Sequence, residues 1–128
     1  MGYAEAQYSL GLCHACGAGV SWDNAAAAKC YLEAANQNHP KAQFELGKCY
    51  AEGLGVQMDC GQAAEWYRKA AKQDYAAAQY RLGECYANGY GVAINELMAA
   101  KWYRKAAKQG HKGAVEALRK MAKRSLFS

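Results

Sequence analysis

The chain has 128 residues, 52% of them hydrophobic, with two Phe, a single Pro and a formal net charge of +5. That length suits one domain with a modest core, and the apolar fraction excludes a disordered chain. No apolar run nears the roughly 20 residues of a membrane span.

Shifted against itself by 36 residues, the sequence falls into register: residues 39–74 and 75–110 are identical at 20 of 36 positions without a gap. Ala6, Ala42, Ala78 and Ala114 share one phase, as do Leu10, Leu46, Leu82 and Leu118. Cys13, Cys49 and Cys85 share another with Met121. Repetition at this period marks stacked helical units, here near 3–38, 39–74 and 75–110, closed by a capping helix near 111–124. No stretch alternates with period two, so the expectation is an all-α chain. Its seven helices fall near 3–16, 23–37, 39–52, 59–73, 75–88, 95–109 and 111–124.

In each first helix the apolar face is set by residues such as Ala42, Leu46 and Cys49–Tyr50, at the spacing of a 3.6-residue period. The exits are Gly17-Ala18-Gly19, Gly53-Leu54-Gly55 and Gly89-Tyr90-Gly91. The second helices open at the N-cap residues Asp23, Asp59 and Asn95. Trp22, Met58 and Ile94 stand just before them, placed to pack on Ala27, Ala63 and Ala99 as hydrophobic staples. The buried face of the second helix reads Ala63, Trp66, Tyr67, Ala70 and Ala71. It stops at Asn38, Asp74 and Gly110, residues that tolerate a left-handed backbone. Gly11, Gly47 and Gly83 each follow the core Leu, which predicts that the second helix presses its backbone against that spot. The fourth occurrence is Arg119, on a last helix with no second helix to follow, where a charged outer face suits the cap of a stack.

The elements Leu-Gly, Gly-x-Gly-Val and Trp-Tyr-x-Lys-Ala-Ala recur in phase, and together they resemble the Sel-one-like repeat (SLR) family, a relative of the tetratricopeptide repeat. The resemblance covers nearly the whole chain; the first unit departs most, with Cys30 where Trp66 and Trp102 stand. It implies a right-handed superhelical solenoid of three helical hairpins plus the capping helix. It also implies a concave surface lined by first helices, and adaptor or scaffold roles without chemistry. Aligned with the tetratricopeptide, five phases of the first helix point into the groove. The candidate partner-binding residues there are Tyr8, Lys41, Phe44, Lys48, Glu52, Tyr80, Glu84 and Asn88. Tyr8, Phe44 and Tyr80 repeat as aromatics, in a packing or a recognition role, while the neighbours vary in charge and suit specificity.

The expected function is therefore a non-catalytic interaction scaffold holding a protein or peptide in the groove. One alternative is a bacterial inhibitor or immunity protein for a cognate toxin or enzyme. Another is an anion or nucleic-acid binder using the basic end: residues 101–128 hold nine Lys or Arg against one Glu, and residues 1–100 hold seven against ten acidic residues. Lys112, Arg119, Lys120, Lys123 and Arg124 form that end, but a polar cap explains them equally well, and nucleic acid is the less favoured partner. Arg68-Lys69-Lys72 and Arg104-Lys105-Lys108 sit where cations offset helix dipoles, on a solvated convex face. No signal segment is visible at the start, which favours a cytoplasmic location. The first residues already belong to a repeat, so further upstream repeats, and with them the compartment, stay open.

No arrangement supports catalysis, a cofactor, a metal or a small-molecule substrate. None of Ser9, Ser21, Ser125 or Ser128 begins a Ser-x-x-Lys, His39 and His111 sit where caps belong, and the glycine pairs lack the strand of a dinucleotide loop. Cys13-His14-Ala15-Cys16 has ligand types, yet zinc needs four ligands in a closed site. Cys13, Cys49 and Cys85 lie on successive first helices, expected roughly 8–10 Å apart, beyond the usual ~7 Å Cα limit of a disulfide. Cys16 and Cys60, off that phase, are the expected exposed thiols. A disulfide-bearing subset of the family pairs positions that here are Ala35/Gln43, Ala71/Gln79 and Ala107/Val115. Thiol titration in denaturant, without reductant and on protein kept from air, should therefore find six free groups; two or four would refute this reading.

Overall fold

The computed structural model describes residues 2–16 and 23–127. Among them are seven helices and no strand: α1 (Gly2–Cys16), α2 (Asn24–Ala35), α3 (Pro40–Glu52), α4 (Cys60–Ala71), α5 (Ala76–Asn88), α6 (Glu96–Lys108) and α7 (Lys112–Phe127). Each first helix packs on its own second helix, and each second helix packs on the next first helix, so the layers run α1 to α7 as a solenoid.

The ends follow side-chain chemistry. Oδ1 of Asp23, Asp59 and Asn95 accepts from the backbone N–H of Ala26, Gln62 and Met98 at 3.0, 3.1 and 3.1 Å, meeting a donor that the helix itself leaves unpaired. His39 and His111 cap α3 and α7 through Nδ1, each accepting from the N–H three residues on at 3.1 Å. α3 and α5 exit through Gly53 and Gly89 with φ of 68° and 75°. The second helices turn out through Asn38, Asp74 and Gly110, also at positive φ.

The glycines inside the first helices have a different neighbour from the one the sequence suggests. A Cβ on Gly11, Gly47 or Gly83 would stand 2.7, 2.7 or 2.6 Å from the ring of Tyr31, Tyr67 or Tyr103. An aromatic ring of the second helix is the nearest neighbour at each site, because a flat ring can lie against bare helix backbone; at Gly47 the Ala63 backbone carbonyl also comes within 3.3 Å of that Cβ. The second glycine of each exit pair is likewise more than an exit. A Cβ on Gly55 would overlap the Asn24 carbonyl, and one on Gly91 the Cys60 carbonyl. Both carbonyls belong to the opening residue of the preceding second helix, so this glycine sets the contact between repeats.

Two expectations need correction. Met58 and Ile94 are exposed, at 59% and 65%, so neither is buried as a staple; their side chains lie beside Gly53 and Gly89 instead. The Leu phase is buried at Leu46 and Leu82 but 46% exposed at Leu10, and Ala6 is exposed too. On α3 and α5 that face meets the preceding second helix, and no described element stands there for α1. The first staple residue, Trp22, and the first exit, Gly17-Ala18-Gly19, lie outside the described residues.

The core is continuous from repeat to repeat. Trp66 joins the cluster of Ala27, Ala34 and Leu46, and Trp102 joins that of Ala63, Ala70 and Leu82. Lys69 covers the Trp66 ring at 4.4 Å, adding a cation–π contact. The Arg119 side chain is 62% exposed. Gly83→Leu should therefore cost about 1–3 kcal/mol by overpacking, and Arg119→Leu about 0.5 kcal/mol or less. Equal thermal shifts for the two would contradict this account.

Candidate binding groove and repeat junctions

Each aromatic of this phase on the first helices lies in close contact with two other rings, mostly tilted rather than stacked. Tyr8 lies 6.2 Å from Tyr31 and 4.9 Å from His39, ring to ring. Phe44 lies 5.8 Å from Tyr67 and 5.4 Å from Tyr75. Tyr80 lies 5.8 Å from Tyr103 and 4.6 Å from His111. Each ring thus bridges its own hairpin to the residue that opens the next repeat. Phe44 is buried at 8%, whereas Tyr8 and Tyr80 keep part of their surface open.

Around these rings the polar candidates are available to solvent. Lys41, Glu52 and Asn88 are exposed, and Lys48 and Glu84 are half-buried. Lys48 Nζ sits 3.5 Å from Glu45 and 5.4 Å from the centre of the Phe44 ring. One repeat later the order of charges is reversed, with Arg81 3.2 Å from Glu84. Asn88 donates to the Glu84 carbonyl at 3.1 Å. At the first junction Glu5 meets His39 Nε2 at 2.7 Å, a hydrogen bond that holds the Glu5 carboxyl below its usual pKa.

Between α5 and α7 the surface sinks into a depression of about 470 Å³. Tyr80, Glu84 and Asn88 form one wall; Lys120, Met121 and Arg124 form the other. The sequence treats the basic end and the groove as separate candidates. In the structure Lys120 and Arg124 face the same depression as three of the groove residues.

The buried thiols are poor nucleophiles. Burial pushes Cys49 and Cys85 up to about 11, so both stay neutral near pH 7, and only a thiolate attacks. Cys16 and Cys60 are exposed, and all six cysteines are free. Among the described residues no three His, Cys, Asp or Glu side chains converge as a metal site would require.

Two residues escaped the sequence reading as anything but vacant disulfide positions. Gln43 and Gln79 are buried at 2% and 1%. Gln43 Nε2 donates to the Ala35 carbonyl and Gln79 Nε2 to the Ala71 carbonyl, both at 3.2 Å. Their own amide oxygens accept from Gln73 and Gln109 at 2.8 and 3.0 Å. Gln at one phase with Gln 30 residues on was the available signal. Arg68, read as part of a solvated convex face, also reaches the next repeat, donating to the Tyr86 hydroxyl at 2.9 Å.

Comparison with known proteins gives a consistent pattern. The family model described as Sel1 repeat matches residues 4–39, 40–75 and 76–111. The chain is similar to the solved structure of c5321, a protective antigen of uropathogenic Escherichia coli strains displaying an SLR fold. The TM-score is 0.95 at 40% identity, over 97% of this chain and 27% of that one. A Sel1 repeat protein from Oxalobacter formigenes superposes with a TM-score of 0.84 at 39% identity, over 87% of this chain and 46% of that one. Cysteine-rich protein B of Helicobacter pylori gives 0.73 at 27% identity, over 90% and 88%. The chain therefore spans about a quarter of the first of these proteins and under half of the second. No curated protein matches it.

Packing and exposure separate the groove residues by what their removal should do. Phe44→Ala should cost about 3–5 kcal/mol, the range for a buried Phe. Lys48→Ala should cost about 0.5 kcal/mol or less. Urea titration followed by circular dichroism measures both, and a mild Phe44→Ala would mean the ring is not a packing element.

Proposed function

Since the chain belongs to the Sel1 repeat family, we propose that it is a non-catalytic scaffold that holds a protein or peptide in its concave groove. Proteins of this family generally serve as interaction scaffolds. The observation that carries the reading is the depression of about 470 Å³ in which Tyr80, Glu84 and Asn88 share a surface with Lys120 and Arg124. It combines a partly open aromatic with charges of both signs, as a recognition surface does. Tyr8, Lys41, Phe44, Lys48 and Glu52 extend the same phases through the first two repeats. In this division of labour Phe44 stiffens the floor, Tyr8 and Tyr80 offer apolar contact, and the variable charged positions choose the partner.

Participation of Lys120 and Arg124 favours a partner with acidic groups near that end. It makes the basic cap part of the groove rather than a separate nucleic-acid site. An inhibitor acting on one cognate enzyme would use the same surface, and the identity of the captured protein distinguishes it from an adaptor.

The test compares two double variants of equal charge change. Partners are first captured from the native organism by cross-linking, and their affinities are then measured on purified material. Lys48→Glu with Lys120→Glu should weaken binding by at least about 2 kcal/mol. Lys72→Glu with Lys108→Glu, on the convex side, should leave it within about 0.5 kcal/mol. Melting temperatures should stay near wild type in both. The proposal fails if the convex pair abolishes binding while the groove pair spares it.

A further inference from the structure

At each junction between a hairpin and the next first helix the surface opens into a pocket, and three such pockets lie 36 residues apart in phase. The first and second each hold about 230 Å³; the third is the Tyr103–Met121 side of the larger depression. Their walls repeat. The hairpin tyrosine is Tyr31, Tyr67 or Tyr103, and Ala15, Ala51 or Ala87 leaves the space open. A volume of about 230 Å³ lies below the roughly 300–1,000 Å³ of sites for drug-sized ligands. It has room for one large side chain.

Two observations point to an occupant. Tyr31 is 2% exposed, it lines the first pocket, and its hydroxyl has no hydrogen-bond partner among the described residues. Among the described residues that hydroxyl is left unpaired at a cost, which a polar tip reaching it through the pocket would offset. The lips carry apolar side chains that solvent already reaches, Leu54 at 38% and Tyr90 at 54%.

The rims specify charge. In the first pocket Lys48 is more exposed than the Glu45 it pairs with, at 33% against 22%. In the second Arg81 is more exposed than Glu84, at 45% against 30%. In the third Lys120 is exposed, and Arg124 is more exposed than Glu116 on the same lining, at 66% against 52%. A cation is thus the more accessible charge at every mouth, although the polarity of the pairs alternates along the chain.

We propose that the three junction pockets are successive subsites for one extended, acidic segment of a partner protein. Its bulky side chains enter the pockets and its carboxylates meet Lys48, Arg81 and Lys120. The first subsite takes a side chain with a hydrogen-bonding tip, met by Tyr31. This rests on the groove reading and deepens it, because the pockets share Lys48, Glu84 and Lys120 with that surface.

The probe is a displayed library of random linear peptides selected on the full chain, with the tightest peptide then synthesised and titrated by fluorescence polarisation. The enriched peptides should carry bulky apolar residues at a constant spacing with Asp or Glu between them, and added salt should weaken them. Ala15→Phe and Ala51→Phe each fill one pocket, and each should lower affinity at least about thirtyfold, the hot-spot scale. Tyr31→Phe should leave the melting temperature unchanged or raised while lowering affinity about threefold to tenfold. If a filled variant misfolds by circular dichroism, Tyr31→Phe and Lys48→Glu with Arg81→Glu decide the matter in its place. Enrichment of basic peptides, of peptides with a single anchor, or of none overturns the proposal. So does unchanged binding by folded Ala15→Phe and Ala51→Phe. Should these bind normally while Lys41→Glu with Asn88→Arg abolishes binding, the pockets are refuted and the groove stands. Should no groove variant affect the selected peptide, both readings fall.

Discussion

A tyrosine ring lying on the bare backbone of a glycine closes every hairpin, and the other contacts are arranged around it. Tyr31, Tyr67 and Tyr103 cross from the second helix to the first at Gly11, Gly47 and Gly83, where any Cβ would collide with the ring. Each ring also meets Tyr8, Phe44 or Tyr80, one turn from that glycine on the same first helix. Those rings in turn touch His39, Tyr75 or His111, the residue that opens the next repeat. Such aromatic pairs contribute about 0.5–1.5 kcal/mol beyond their burial. One chain of contacts therefore runs from the inside of a hairpin, through the first-helix aromatics, to the next layer. That is why the groove aromatics cannot be altered independently of the stack, and why the charged positions around them can.

A second link between layers is made by buried side-chain amides. The resemblance places disulfides between positions that here hold Ala35 with Gln43 and Ala71 with Gln79. In this chain an amide hydrogen bond spans each of those pairs, and a further Gln from the same repeat completes the amide's own acceptor. A net gain of about 0.5–1.5 kcal/mol per hydrogen bond is less than the typical 2–4 kcal/mol of a disulfide. It needs no oxidising compartment, however. At the third place Val115 stands beside Ala107's phase and is 41% exposed, so the link is absent where α7 closes the stack.

Charge is distributed with the same economy. The sequence concentrates cations at the C-terminal end, and much of that end is a solvated cap: Arg119, its side chain 62% exposed, pairs with Glu116 one helical turn away. Lys120 and Arg124, on the neighbouring face of α7, instead line the depression opposite Glu84 and Asn88. A single helix thus closes the core with one face, solvates another and lines the depression with a third.

The period of 36, with its caps and glycines, determined the helices, their order and their ends, because these depend on interactions within a few residues. Asp23, Asp59 and Asn95 cap as their chemistry requires, and Asn38 and Asp74 adopt the left-handed turn. Resemblance to the tetratricopeptide supplied the candidate groove phases, but not the packing of each residue there. Only tertiary structure decided that Tyr67 fills the Gly47 site, that Gly91 meets the Cys60 carbonyl, and that Gln43 reaches Ala35. It alone decided that Leu10 stays exposed while Leu46 is buried. The physical reason is that a repeat fixes what each position is, whereas burial depends on which neighbouring layer is present to cover it. Leu10 and Leu46 are the same residue in the same phase, and only the layer beside them differs.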